Sequence, residues 1–175
     1  MKRLLACAVL TLIFFAGCSK KEDQAVISSG TAVDFSDDAG MRRAAAEIAA
    51  SIDNQFGAGT KIALVNIASA DHRANSVLND MTAYLAKSGK LGVVDGERID
   101  SAGKELNLNR NASSGLPDIS LLELGRLLGA QLVLTGDMTA EKGAYRIVVR
   151  VLDTQTSFIA GQYQANVPVG KPAKL

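Results

Sequence analysis

Three short patterns in the sequence resemble parts of reactive or ligand-binding sites. The first, residues 57–61 (Gly-Ala-Gly-Thr-Lys), is rich in glycine and ends in lysine, as loops that cradle phosphates do. Such a loop must follow a strand, open a helix and end in Gly-Lys-Ser/Thr, whereas this segment leaves a predicted helix and enters a predicted strand. The pattern therefore predicts a turn that stops a helix.

The second and third patterns concern nucleophilic catalysis. Ser101 and Lys104 match the Ser-x-x-Lys motif of penicillin-recognising enzymes, but the companion Lys-Thr-Gly and Ser-x-Asn elements are absent from the sequence. His72 lies between Asp71 and Arg73 after a predicted strand, where α/β folds usually place ligands. No Ser or Cys nucleophile can be paired with His72, so we interpret it as a solvent-exposed residue at a helix start.

The remaining acidic residues at strand ends show no paired spacing suited to acid–base catalysis. Asp95 is interpreted as a helix N-cap, Asp137 as a residue on the solvent side of a strand, and Asp153 as a strand-end residue. We therefore expect a protein that is not an enzyme and that has no small-molecule substrate.

Composition excludes further classes of function. Two Cys and one His are too few for a structural zinc site or a disulfide framework, so we expect no metal and no cofactor. A formal net charge of +1 and an aromatic content of 5% without Trp give neither a basic stripe nor stacking platforms, so nucleic acid is not an expected partner.

The N-terminus predicts export and lipidation. Residues 1–17 combine Met-Lys-Arg with a short apolar run that ends in Ala-Gly, which is typical of a signal peptide and too short to span a bilayer permanently. The residues before Cys18 resemble the lipobox of bacterial lipoproteins, apart from Phe15, where Leu is commonest. We predict lipid attachment at Cys18, and Ser19 after it favours the outer membrane.

The rest of the chain divides into a tether, a domain and a tail. Residues 18–40 are polar apart from isolated apolar residues, and we predict a flexible tether with a typical reach of about 26 Å. Residues 41–167 are predicted to form a single α/β domain, and residues 168–175 a C-terminal tail.

Periodicity within the domain predicts the order helix, β, α, β, α, α, β, β, β. Helical stripes over residues 41–56 and 77–85 flank a strand at 61–68, and a second strand at 91–94 completes a parallel βαβ unit. Asp95 opens a third helix, and a capping box at Ser120 and Glu123 is predicted to open a fourth, with Ile119 in a hydrophobic staple. Three strands at 131–140, 145–153 and 157–167 form an antiparallel meander. The expected fold is a mixed sheet with helices packed on it.

Four segments together resemble one family. They are residues 61–67 (Lys-Ile-Ala-Leu-Val-Asn-Ile), 78–98 (with Leu-Ala-Lys-Ser-Gly-Lys-Leu-Gly-Val-Val-Asp at 85–95), 124–139 (Leu-Gly-Arg-Leu-Leu-Gly-Ala-Gln-Leu-Val-Leu-Thr-Gly-Asp-Met-Thr) and 145–156. The chain is similar over roughly residues 41–167 to the LpoB-type activators of penicillin-binding proteins, which share an α/β domain with CsgG and TolB N-terminal domains. In the third segment, Gly125 is expected to allow close helix–sheet packing, Gly129 to end the helix and Gly136 to relieve crowding in a strand.

The resemblance implies an outer-membrane lipoprotein on the periplasmic face that binds and activates a peptidoglycan synthase, that is, a penicillin-binding protein. The tether is shorter than that of the enteric activators. A structural or accessory component of a curli-type secretion or flagellar envelope complex is the alternative. The loop at residues 107–115 has no evident packing role, so Asn107, Asn109, Arg110 and Asn111 are the candidate partner-binding residues.

Overall fold

The computed structural model describes residues 37–110 and 113–169. The signal peptide, Cys18, most of the tether, Asn111 and the end of the C-terminal tail lie outside the described residues. Within them the elements run α1 (Asp37–Gln55), β1 (Lys61–Ala68), α2 (Arg73–Ser88), β2 (Gly92–Val93), α3 (Gly96–Glu105), α4 (Asp118–Leu128), β3 (Leu132–Glu141), β4 (Ala144–Asp153) and β5 (Ile159–Pro168). The predicted order of elements is confirmed.

The strands form one sheet in the order β2-β1-β3-β4-β5. β1 is parallel to both β2 and β3, while β3, β4 and β5 form an antiparallel meander. The pairing of β1 with β3 shifts register between Leu64 and Asn66, which makes Val65 a bulge. The expected mixed sheet, with a parallel βαβ unit followed by a meander, is thus confirmed.

Helices cover the two faces of this sheet unequally. On one face, α1 and α2 bury a large cluster that runs from β1 to β5 and includes Ile48, Met81, Leu134 and Ile147. On the other face, α3 and α4 bury a smaller cluster around Val65, Val133 and Leu152. The second cluster does not extend over the far half of the meander, whose side chains on that face are largely solvent-accessible.

Two glycines allow the close contacts predicted for them. A Cβ atom at Gly125 of α4 would lie 2.4 Å from Val133 Cγ2 and 2.6 Å from Thr154 Cγ2, so the helix packs directly on the sheet. A Cβ atom at Gly136 of β3 would lie 2.5 Å from the backbone oxygen of Val148. Gly129 ends α4 with φ of 64°, as expected.

Helix starts are where the expectations and the structure differ. The capping box at Ser120 is wrong, because the N-cap of α4 is Pro117 and Ser120 lies inside the first turn. Proline has a helix-compatible φ and Asp118 places a negative charge beside the positive end of the helix dipole, so the helix begins earlier. Ile119, predicted to form a staple, is 63% exposed. α1 begins before Met41, so residues 37–40, expected to belong to the tether, are part of this helix.

Candidate functional site

The crevice between the carboxyl ends of β1 and β3 is where an α/β sheet of this order would bind a ligand. The helix α2, which joins β1 to β2, packs on one face of the sheet, whereas α3 and α4, which join β2 to β3, pack on the other. The direction of winding therefore reverses at β1, and such a reversal leaves a crevice between the neighbouring strand ends. Two buried polar side chains lie there, and Thr135 Oγ1 donates a hydrogen bond of 2.8 Å to Asn66 Oδ1.

Arg110 occupies the space beside this crevice. Its Nε and Nη2 donate hydrogen bonds of 3.0 and 2.8 Å to the backbone oxygen of Val65, and Nη1 pairs with Asp100. Val65 lies at the bulge, where the pairing of β1 with β3 shifts register, and a residue at a bulge is left out of the ladder. The protein's own arginine therefore contacts the backbone that a ligand would otherwise approach.

This contact revises the view of the predicted partner-binding loop. Arg110 anchors the loop to β1, so the loop does have a packing role, contrary to the expectation. Asn107 and Asn109 are exposed, and Asn107 adopts a φ of 54°, which Asn tolerates better than most residues. Asn111 lies outside the described residues.

A second polar cluster joins the start of α2 to β4. Arg73 Nη2 lies 2.7 Å from Asp71 Oδ2 and also donates to the Tyr145 hydroxyl, while the guanidinium carbon lies 4.3 Å from the centroid of the Tyr145 ring. The hydrogen bond from Arg73 holds the pKa of Asp71 well below its usual range. A carboxylate so strongly held in its ionised form is a poor general base at neutral pH, so we assign the cluster a structural role. We call Asp71, Arg73 and Tyr145 the Arg73 clasp, because they join the start of α2 to β4.

The other residues with catalytic spacing are not brought together. His72 is 91% exposed at its side chain and precedes α2. Residues 57–60 lie in the turn between α1 and β1, as expected, and Lys61 begins β1. Ser101 and Lys104 are exposed on α3. Among the described residues, no group of three His, Cys, Asp or Glu side chains is placed to hold a metal ion.

The acidic residues at strand ends cap a helix, close a turn or face solvent. Asp95 is the N-cap of α3 and accepts a hydrogen bond from the Glu97 amide, as predicted. Asp137 is exposed on β3, also as predicted. Asp153 accepts hydrogen bonds from the amides of Thr156 and Gln155, and these bonds close the β4–β5 turn and lower the pKa of this carboxyl.

The uncovered half of the meander is a polar surface to which three of the described strands contribute. We call it the open face, and it comprises Asp137 and Thr139 of β3, Arg146, Val148 and Arg150 of β4, and Gln162, Gln164 and Asn166 of β5. The alternation of Arg146, Val148 and Arg150 with buried residues predicted the wetter face of β4. The register with β3 and β5 shows which side chains lie beside it.

Ion pairs and amide contacts order the arginines of the open face. Arg146 Nη2 donates to Gln164 Oε1 at 3.1 Å, and its Nη1 lies 3.7 Å from Glu141 Oε1. Arg150 Nη1 lies 3.2 Å from Asp118 Oδ2 at the start of α4. The result is a surface of mixed charge and amides, without a concentrated charge of one sign.

A shallow depression of about 640 Å³ lies at the hairpin end of the open face. It is lined by Ala140, Glu141, Lys142, Ala144, Arg146 and Asn166. It is an open depression rather than an enclosed cavity. Within the described ranges, no helix is long and apolar enough to span a membrane.

Comparisons with known proteins agree with this geometry. The model of the family "Peptidoglycan-synthase activator LpoB" matches residues 64–160, which is more than half of the chain. A comparison with curated protein sequences finds no match.

Three solved structures have a similar fold. The LpoB C-terminal domain from Escherichia coli has a TM-score of 0.63 at 17% identity, with 73% of this chain and 97% of that chain covered. The same domain from Salmonella enterica has a TM-score of 0.60 at 19% identity, with coverages of 77% and 99%. The NMR structure of Escherichia coli LpoB has a TM-score of 0.58 at 19% identity, with coverages of 96% and 85%. These structures show the same fold, and the family match over residues 64–160 shows that the chain belongs to the LpoB family of peptidoglycan-synthase activators.

Proposed function

We propose that this protein activates a peptidoglycan synthase of the penicillin-binding type by docking its α/β domain onto it, without catalysing a reaction itself. The family match over residues 64–160 is the observation that carries this proposal. The geometry supports it, because the usual ligand crevice is contacted by Arg110 and the strongest carboxylate cluster, at Asp71, is a clasp.

The open face is the surface proposed for docking. Protein interfaces that form and dissociate combine a partly apolar centre with polar groups and are enriched in arginine. The open face has this composition, with Val148 between Arg146 and Arg150 and amides along one side. The opposite face of the sheet is covered by α1 and α2 and offers no comparable strand surface.

The exposed loop residues Asn107 and Asn109, with Arg110 and Asn111, remain a proposed second contact with the synthase. Arg110 would then contribute chiefly by holding the loop on β1. Asn107→Gly keeps a residue that tolerates the φ of 54° and removes the exposed amide, so it is expected to weaken binding to the synthase with little change in the melting temperature.

We further propose that residues 1–17 are removed as a signal peptide, that Cys18 carries lipid, and that a tether ending at α1 holds the domain on the periplasmic face of the outer membrane. The proposal rests on the residues around Cys18. Labelling cells with a radioactive fatty acid is expected to mark the protein and to leave the Cys18→Ala variant unmarked. Fractionation that recovers the wild-type protein free in the periplasm would contradict the proposal.

Docking through the open face is tested by measuring the Kd of a chain from residue 19 onward for a purified bifunctional synthase. This chain keeps every described element and both apolar clusters. Arg146→Glu is expected to raise the Kd by about tenfold or more, because it reverses the charge of an arginine on the proposed docking surface. Arg42→Glu on α1 makes the same charge change at an exposed site on the other side of the sheet and should leave the Kd unchanged. Equal affinity of the two variants would refute docking through the open face.

A further inference from the structure

The outer edge of β5 is a long strand edge that the described residues leave without a partner strand. β5 spans Ile159–Pro168, whereas the strand at the opposite edge, β2, contains only Gly92–Val93. An edge strand presents unpaired N–H and C=O groups that can pair with another chain. Proteins usually block such pairing with charged residues, proline or bulges.

β5 lacks most of this protection. The sequence contains no Asp, Glu, Lys or Arg between Thr154 and Gly170, and the proline of β5 is at its last position. The start of the strand is blocked, because Ala160 has no partner in the register with β4 and its backbone oxygen accepts a hydrogen bond of 2.8 Å from Gln55 Nε2. Residues 161–167 form the unprotected part of the edge.

The two faces of this edge define what an added strand must offer. Tyr163, Ala165 and Val167 are buried on the α1 side. Gln162, Gln164 and Asn166 lie on the open face. A segment that extends the sheet would therefore have small apolar side chains on alternate positions and uncharged polar side chains between them, the latter beside the amide row.

The position of α1 favours an extended segment over a second copy of this chain. Among the strands, α1 contacts chiefly β5, and the Tyr163 hydroxyl donates to Gln55 Oε1 near the C-terminal end of α1. Adjacent strands are about 4.8 Å apart, whereas packed helices need about 8–10 Å between their axes. If two copies paired through β5, their α1 helices would be brought too close, but an extended segment carries no such helix.

We propose that residues 161–167 of β5 bind an extended, uncharged segment of the synthase by strand addition, so that it becomes the sixth strand of the sheet. This inference rests on the proposed function. It adds the binding mode, since a strand at this edge also continues the open face and brings the partner beside Gln164 and Arg146.

Backbone hydrogen exchange measured by NMR, with and without the purified synthase, tests the proposal. In the free protein the inward amides of residues 161–167 are bonded to β4 and exchange slowly, whereas the outward amides exchange quickly. In the complex the outward amides are expected to slow by about tenfold or more, because exchange must then break an added hydrogen bond. Alternate residues therefore change, which is a pattern that side-chain docking does not produce.

A charge on the edge provides a second readout. Gln164→Lys is expected to raise the Kd for the synthase by about tenfold or more, as the lysines of naturally guarded edges prevent pairing. Gln164 also lies on the open face, so a raised Kd supports strand addition only together with the alternating change in amide exchange, whereas an unchanged Kd contradicts it. Gln155→Lys makes the same change in the exposed β4–β5 turn and should leave the Kd unaltered.

The outcomes separate this inference from the proposed function. If the synthase binds and the outward amides of β5 still exchange quickly, strand addition is refuted while the proposed function stands. If the synthase does not bind, the proposed function fails and this inference fails with it. If the outward amides are already slow in the free protein, the edge is occupied by this chain or by a second copy, which also overturns the proposal.

Discussion

The close approach of β3 and β4 at Gly136 makes a quantitative prediction about stability. A Cβ atom at this position would lie 2.5 Å from the backbone oxygen of Val148 and 3.3 Å from the Cα of Val149. Both atoms belong to the backbone of the neighbouring strand, so no side-chain rotation relieves the contact. Gly136→Ala therefore forces the two strands apart locally.

The cost follows from two opposed contributions. Overpacking a core costs about 1–3 kcal/mol, and a clash with backbone belongs at the upper end of this range. Replacing a strand glycine by alanine returns about 0.5–1 kcal/mol through the lower entropy of the unfolded chain. The net loss of unfolding free energy is about 2 kcal/mol, which for a domain of this size lowers the melting temperature by roughly 5–10 °C.

Urea unfolding followed by circular dichroism measures this loss. The matched control is Gly96→Ala at the start of α3, where an added Cβ meets no atom within 4 Å and φ is not positive. This control should keep or slightly raise the stability. If Gly136→Ala were as stable as Gly96→Ala, the β3–β4 packing described here would be incorrect.

Three further substitutions test the side-chain contacts. Arg110→Gln should lower the unfolding free energy by about 1–3 kcal/mol in urea titrations, because the Val65 oxygen loses its partner; unchanged stability would show that the loop is not anchored there. Burial raises the pKa of Tyr163 to about 12, so the neutral phenol stabilises the fold below about pH 10 and this stabilisation is lost as the pH rises to about 12. Tyr163→Phe should therefore lose less stability than wild type over that range, and parallel curves would contradict the burial. The lowered pKa of Asp71 has the opposite sign, because its ionised form stabilises the fold above about pH 4 and this stabilisation is lost as the pH falls. The unfolding free energy of Asp71→Asn should therefore fall less steeply than that of wild type below about pH 4, and an unchanged slope would argue against the Arg73 clasp.

Local patterns in the sequence were sufficient to predict most of the fold. The apolar spacing of α1 and α2, the uniform burial of β1 and the alternation in β4 each report on residues only a few positions apart. The glycines at 125, 129 and 136 were assigned correctly, because a missing side chain inside an apolar run indicates a close approach or a helix end.

The capping box failed for a physical reason. Ser120 and Glu123 have the correct spacing, but Pro117 and Asp118 offer an alternative start one turn earlier, and the helix uses it. When two possible helix starts overlap, the sequence alone does not show which of them allows Leu121 and Leu124 to pack in the core.

The candidate site was harder to predict because it depends on residues far apart in the chain. Arg110 contacts Val65, 45 positions away, and Arg73 contacts Tyr145, 72 positions away. The wetter side of β4 was visible from its alternation. Its neighbours on β3 and β5 become identifiable only when the strand register is known.

The stimulation of glycan-chain polymerisation by a purified bifunctional peptidoglycan synthase tests the central claim most directly. Addition of the chain from residue 19 onward should raise the polymerisation rate. The Arg42→Glu variant should raise the rate equally, whereas the Arg146→Glu variant should raise it much less at the same concentration. If the polymerisation rate stays unchanged at a concentration of the wild-type chain that saturates the synthase, the proposed activation is contradicted.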